Sequence, residues 1–217
     1  MGLFKKDKKS KEVSFSIEVK SSIEMGTDDE YHRLLKEATN KKKNGDIDGA
    51  IKILRSVYDK LNSSGMMFPI ETYLRLPLYL QEAGRRDEAW SEFNNLVLWV
   101  NSKPRYSSEV TPMELSAIWD KMRLFLQRQN RNEYAITFGI WSYLSWAMGL
   151  HKQNRLSELE TYTATENILK AINPLLKKAS KESFSEGITR IVSEPLKQLP
   201  DIDFKNIANQ VKEELNK

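Results

Sequence analysis

One short pattern occurs twice in the chain. Residues 44–54 read NGDIDGAIKIL and residues 83–93 read AGRRDEAWSEF. Glycine readily takes the left-handed conformation that ends a helix, and a small alanine lets an antiparallel helix approach closely. The pattern therefore predicts helix pairs joined by tight turns, and such pairs must stack to bury their remaining apolar surface. The pattern consists of a glycine, then an alanine, then a large apolar residue. These are Gly45, Ala50 and Leu54 in the first copy and Gly84, Ala89 and Phe93 in the second.

A third, fainter copy and the apolar periodicity extend the helical prediction along the chain. Asn130 takes the glycine position and Ala135 the alanine position of the third copy. From residue 28 onward, apolar residues recur with the period of amphipathic helices. Thr27 and Glu30 have capping-box spacing and are expected to start the first helix. The C-terminal part is expected to contain a link at residues 151–160 and three shorter helices near residues 163–180, 182–197 and 203–216.

The two clear copies resemble tetratricopeptide repeats (TPR), in which a Gly-Asp or Gly-Arg pair precedes a characteristic alanine. The resemblance covers about residues 31–143 and includes Trp119 and Ala135 in the third copy. Successive alanines are 39 and then 46 positions apart, whereas the family repeats every ~34 residues, so longer helices or inserted loops are expected. Pro77 stands where the family usually has a small residue and should kink its helix. The segment YLRLPLYLQEAGRRDEAW also resembles a recurrent segment of bacterial proteins of unknown function.

The resemblance implies a fold and a division of the chain. The expected fold is all-α, a right-handed stack of about three TPR-like helix hairpins in residues 28–160. A C-terminal helical segment, residues 161–217, would cap the open end of the stack. Residues 1–27 would form a flexible basic arm with a possible short strand, because apolar and polar residues alternate over residues 13–19.

The resemblance also implies a function, since such repeats bind peptides or helices along the concave face formed by their first helices. We therefore expect a non-enzymatic scaffold or adaptor that binds a helical or extended segment of another protein. The leucines of this groove could equally be packing residues, and Leu35 and Thr39 stand where the chaperone-tail class has Lys and Asn. The expected partner-binding residues are His32, Leu35, Thr39, Lys42, Lys43, Glu71, Leu74, Leu78, Gln81, Glu82, Asp120, Leu124, Gln127 and Arg128.

The positive charge of the chain is concentrated at its start. Residues 1–11 carry five lysines against Asp7, a balance of +4 that equals the net charge of the whole chain. Runs of like charge are usually solvated and mobile. The same lysines leave an alternative function open, in which the N-terminal arm associates with nucleic acid.

Several function classes lack the residues that they need. The chain has no cysteine and only two histidines, His32 and His151, and no nucleotide-binding or hydrolase motif is present. We therefore expect no catalytic site, no metal and no cofactor. The start of the chain lacks the hydrophobic region of a secretory signal, and the uncharged residues 134–150 are better explained as a buried helix than as a membrane span. A cytoplasmic location is expected, and the oligomeric state stays open.

Overall fold

The computed structural model of the chain describes residues 22–102 and 107–217. In these two ranges the chain forms helices joined by short turns, and no β-strand occurs in them. The predicted all-α class is therefore confirmed. The lysine-rich residues 1–11 and the strand predicted at residues 13–19 lie outside the described residues.

The α-helices follow one another closely along the described chain. A single turn of 3₁₀-helix, Glu182–Phe184, precedes the tenth. Their bounds are α1, Ser22–Lys43; α2, Ile47–Ser64; α3, Ile70–Tyr73; α4, Arg75–Glu82; α5, Arg86–Ser102; α6, Thr111–Gln127; α7, Asn132–Lys152; α8, Leu156–Thr163; α9, Thr165–Ala179; α10, Ser185–Leu196; and α11, Phe204–Leu215.

Two boundaries differ from the prediction. The first helix already includes Ser22, the first described residue, and so it runs through the expected cap at Thr27. The expected link at residues 151–160 is also wrong, because α7 continues to Lys152 and α8 begins at Leu156. The three shorter helices predicted near the C-terminus are present as α9, α10 and α11.

The turns of the three predicted helix pairs share one backbone conformation. The left-handed residue is Gly45 in the first turn (φ 86°), Gly84 in the second (φ 78°) and Asn130 in the third (φ 59°). In each turn the next amide donates a hydrogen bond to the carbonyl five residues back, as in Arg85 to Leu80 at 2.9 Å. This is the Schellman arrangement, which satisfies carbonyl groups at a helix end.

The same turn occurs again between α7 and α8, and once more after α9, where Ser180 is the left-handed residue. Asn154 is left-handed (φ 55°) and the amide of Arg155 donates to the carbonyl of Leu150 at 2.9 Å. Asparagine tolerates this conformation better than most other residues, although less well than glycine. The sequence signal was weak because neither glycine nor alanine marks this turn.

The three alanines of the repeated pattern lie at the helix contacts. Ala50, Ala89 and Ala135 are all 0% exposed. Ala50 lies on α2, which packs against α1 and α4, and Ala89 lies on α5, which packs against α4 and α6. The prediction that small side chains mark close helix contacts is confirmed.

Pro77 interrupts the first helix of the second pair. The helix breaks at Leu74, which separates α3 from α4. A proline has no amide hydrogen for the carbonyl four residues earlier, and its ring crowds that carbonyl. Here that carbonyl belongs to Tyr73, the last residue of α3. The kink expected at Pro77 is therefore present as a break.

Helix α7 joins two hydrophobic cores. The first contains apolar residues from α1 to α6 together with Ala135 of α7. The second contains Ile136 and Ile140 of α7 and the apolar faces of α9, α10 and α11. Because α7 is covered on both sides, its long uncharged run is explained by burial, as predicted.

Candidate functional site

The predicted groove residues do not all reach the surface. Leu35 is 4% exposed and Leu74 is 2% exposed, and both belong to the first hydrophobic core. Leu74 lies at the break between α3 and α4, where the helix turns it inward. Of the two interpretations of these leucines, packing is the one that fits Leu35 and Leu74. A partner could not contact either side chain without unfolding its surroundings.

Five of the predicted residues gather around one open depression, which we call the basic depression. It measures about 420 Å³ and lies near the C-terminal ends of α1, α4 and α6. The side chains around it come from three successive helix pairs. The predicted lining residues are Lys42, Leu78, Gln81, Glu82 and Arg128, and the lining residues that the sequence did not indicate are Arg75, Tyr79, Arg86 and Gln129.

An ion pair links the first and second helix pairs across the basic depression. Lys42 Nζ lies 2.7 Å from Glu82 Oε2. The same ammonium group lies over the ring of Tyr79, 4.8 Å from its centroid, where the negative face of the ring attracts a cation. The Lys42 side chain is therefore held between α1 and α4.

A hydrogen-bonded pair links the second and third helix pairs. Arg128 Nη1 donates to Gln81 Oε1 at 2.7 Å, and Gln81 Nε2 donates to the backbone carbonyl of Phe125 at 3.2 Å. Gln81 thus uses both ends of its amide group to bind α6. This bond directs the guanidinium of Arg128 towards α4.

Hydrogen-bond donors dominate the remaining lining. Arg75 Nη1 reaches the carbonyl of Leu35 at 3.5 Å, a long contact. Among residues 22–102 and 107–217, no carboxylate lies within ion-pair distance of Arg75, Arg86 or Arg128. Gln129 Nε2 is buried and has no hydrogen-bond partner within the described chain. The depression therefore offers three guanidinium groups that have no carboxylate partner within the described chain.

Two further predicted residues, Glu71 and Asp120, line a second depression of about 460 Å³ between α3, α6 and α7. Trp146 also lines it and is 37% exposed. Burial opposes ionisation of Asp120, but the hydrogen bonds and positive charges of Arg123 and Lys121 outweigh it, so that the pKa of Asp120 lies below its usual value. This carboxylate is already paired, with Arg123 Nη2 at 2.6 Å from Oδ1.

The other predicted residues lie apart from both depressions or bond within their own neighbourhood. His32 packs edge-on against Phe68, with ring centroids 5.3 Å apart, and Thr39 Oγ1 donates to the carbonyl of Leu35 at 3.0 Å. Gln127 Oε1 accepts bonds from Arg123 and Lys178 at 3.1 and 3.2 Å. Lys43 is exposed and Leu124 is half-buried.

The tryptophans are mostly packed between helices. Trp119 and Trp141 meet at 4.9 Å between ring centroids, and Trp141 Nε1 donates to the carbonyl of Phe204 at 3.1 Å. Trp90 packs against Phe125 at 5.4 Å. These rings join α5, α6, α7 and α11 and therefore act as packing residues.

Neither a metal site nor a membrane-spanning helix is present among the described residues. They contain no group of three or more His, Asp or Glu side chains placed to hold a metal ion. Among the same residues, every helix is too short or too polar to cross a bilayer.

Comparisons of the chain with models of protein families, with curated proteins and with solved structures found no significant match.

Proposed function

We propose that the chain is a non-enzymatic scaffold or adaptor that binds a helical or extended segment of another protein at the basic depression. One observation carries the proposal. Lys42 of α1, Leu78 of α4 and Arg128, the residue directly after α6, line one depression. An interface built from successive helix pairs is the usual way in which stacked helical repeats bind extended ligands.

The turn geometry supports a TPR-like organisation of this surface. The first three turns have the same left-handed residue and the same capping bond, so each pair presents the end of its first helix in a similar way. The helices also pack in chain order, with α2 against α4 and α5 against α6. Under this proposal residues 28–160 form the binding array, residues 161–217 cap it, and the protein acts in the cytoplasm.

The surroundings of the depression suit a partner segment with both polar and apolar side chains. Leu78 is half-buried and offers an apolar contact, while charged groups surround it. Helical segments that dock in grooves carry apolar anchors at helical spacing and polar residues between them. The predicted residues Glu71 and Asp120, at the second depression, would extend the contact along α3 and α6.

Affinity capture with paired variants tests the proposal. Leu78→Asp places a charge at the depression, whereas Leu98→Asp places the same charge on α5 at a side chain that is 67% exposed. We expect a native partner to be captured by the wild type and by Leu98→Asp, and to be lost with Leu78→Asp. A photoreactive residue at position 82 should cross-link the same partner. Equal capture by both variants would contradict binding at this depression.

A second candidate function rests on a different segment. Residues 1–11 carry a charge of +4 and would bind nucleic acid through its phosphates, which makes affinity fall steeply with salt. Binding of the full chain to a single-stranded oligonucleotide is measured at low and high salt, with and without the five lysines replaced by glutamine. Binding that does not depend on these lysines would remove this candidate.

A further inference from the structure

We propose that the basic depression recognises an acidic segment of the partner, whose Asp or Glu carboxylates bind Arg75, Arg86 and Arg128. This inference rests on the proposed function and specifies the chemistry of the partner. The lining contains three guanidinium groups, one ammonium group and the Gln129 amide, against a single carboxylate, Glu82.

In the described ranges, four arginines outside the depression are paired with carboxylates. Arg55 and Arg85 share the carboxylate of Glu88. Arg123 pairs with Asp120, and Arg155 pairs with Glu158. The nitrogen to oxygen distances lie between 2.5 and 2.8 Å. The arginines of the depression have no such carboxylate. Arg131 and Arg190 of the described chain also lack one, but only in the depression do three such guanidinium groups line one surface. A carboxylate from outside could bind them there without displacing an internal carboxylate.

The one carboxylate of the depression is already occupied. Glu82 Oε2 lies 2.7 Å from Lys42 Nζ, and the Oε1 atom of Gln81 accepts the bond from Arg128. The Gln81 amide carries no charge, and Glu82 is not within ion-pair distance of Arg75 or Arg86. The remaining charge of the depression is therefore positive. Its side chains from α4 to α6 would attract an acidic group that enters from solvent.

Guanidinium groups select the kind of acceptor. The planar fork of arginine matches the two oxygens of a carboxylate, and such charge-assisted bonds are stronger than neutral ones. Phosphate shares this geometry. A nucleic acid would also need rings on which bases can stack, and the ring that lines this depression, Tyr79, is 8% exposed and lies beneath Lys42. The lining thus favours protein carboxylates over nucleotides.

Leu78 restricts the partner further. It lies three residues after Arg75 on α4 and lines the same depression, so a bound segment meets an apolar group next to the guanidinium. A segment that alternates leucines and glutamates at helical spacing satisfies both contacts. An acidic segment without apolar residues would satisfy only one of them.

Fluorescence anisotropy with a synthetic probe tests the inference. The probe is a fluorescein-labelled peptide of leucine and glutamate residues in helical spacing, and its control has every glutamate replaced by glutamine. The full chain is used with Lys5, Lys6, Lys8, Lys9 and Lys11 replaced by glutamine, so that the N-terminal lysines cannot bind the probe. We expect the glutamate peptide to bind, the glutamine peptide to bind at least tenfold more weakly (about the effect of losing two or more ion pairs), and added salt to reduce the difference.

The arginines are tested by a matched pair of variants. Arg86→Gln with Arg128→Gln removes two cations of the depression, and Arg190→Gln removes an exposed arginine of α10. We expect the first to weaken binding of the glutamate peptide about tenfold and the second to leave it unchanged. Circular dichroism melting curves that match the parent show that each variant folds.

Three outcomes would overturn the inference. The first is equal binding of the two peptides, and the second is equal affinity of the arginine variants. The third is binding of inorganic phosphate or a single-stranded oligonucleotide that depends on Arg86 and Arg128 while the glutamate peptide does not bind. If Leu78→Asp abolishes capture of the native partner and the arginine variants do not, the proposed function stands and only the preference for acidic segments is wrong.

Discussion

Gly139 of α7 lies directly against Leu175 of α9. A methyl group added at Gly139 would be 2.4 Å from Leu175 Cδ1 and 3.1 Å from Cδ of Arg123. Carbon atoms in contact normally lie about 3.5–4.0 Å apart, so a side chain at this position would have to displace Leu175 or push α7 and α9 apart. This contact joins the C-terminal helices to the stacked pairs.

Gly139→Ala is therefore expected to destabilise the protein. Overpacking costs about 1–3 kcal/mol, and the ~1 kcal/mol gained by replacing glycine within a helix offsets part of it. Urea denaturation measures the change in the free energy of unfolding. A Gly139→Ala variant at least as stable as the wild type would contradict the packing described here.

A larger side chain at Ala89 should also disturb the fold. Ala89 is fully buried where α5 meets its neighbours, and Ala89→Leu would add volume without available space, at a cost of about 1–3 kcal/mol. Ser91→Leu, at an exposed position of the same helix, is the matched control. Thermal unfolding followed by circular dichroism should show a lower midpoint for Ala89→Leu alone. Equal midpoints would mean that the alanine does not set the helix contact.

The left-handed turns give a third test. Gly84 has a φ of 78° and no atom within 4 Å of an added Cβ, so Gly84→Ala imposes backbone strain of about 1–2 kcal/mol without a clash. At Asn130, which has a φ of 59°, the exchange to glycine should be neutral or stabilising and the exchange to alanine destabilising. Chemical denaturation of Gly84→Ala, Asn130→Gly and Asn130→Ala measures whether each exchange raises or lowers the free energy of unfolding. If Gly84→Ala were as stable as the wild type, the turn would not depend on this conformation.

Ionisation of Glu88 gives a test by pH. Hydrogen bonds from Arg85 and the charges of Arg85 and Arg55 lower the pKa of Glu88 from 4.5 to about 2. Because the folded-state pKa is the lower one, the pairing stabilises the folded chain fully above pH 4.5 and is lost as the pH falls towards about 2. A carboxyl NMR titration should find this low midpoint. Arg85→Gln should raise it, whereas Arg155→Gln, which removes the partner of Glu158, should not.

Local chemistry made much of the fold predictable. Gly45 and Gly84 indicated turns because few other residues adopt their conformation at low cost, and Pro77 indicated a break because it lacks an amide hydrogen. The turn at Asn154 was missed because asparagine occurs in many other local structures. The start of α1 was missed because Thr27 has the spacing of a cap, although the helix continues through it.

The candidate site was harder to predict than the fold. Arg75 lies on the first helix of the second pair, outside the positions that the resemblance implied, and Arg86 lies at the start of the second helix of that pair, α5. Their approach to Arg128 depends on how the pairs stack, and sequence spacing alone does not contain that information. Leu74 had the spacing of a groove residue, but the helix break before Pro77 places it in the core.

Side-chain NMR of the arginines tests the central claim most directly. The Nε–Hε signals of the full chain are followed while the leucine–glutamate peptide is added. The claim that a partner segment binds at the basic depression predicts shifts for Arg75, Arg86 and Arg128, with Arg190 unchanged. Shifts at Arg190 comparable to those at Arg86, or none at the three arginines of the depression while the peptide binds, would contradict it.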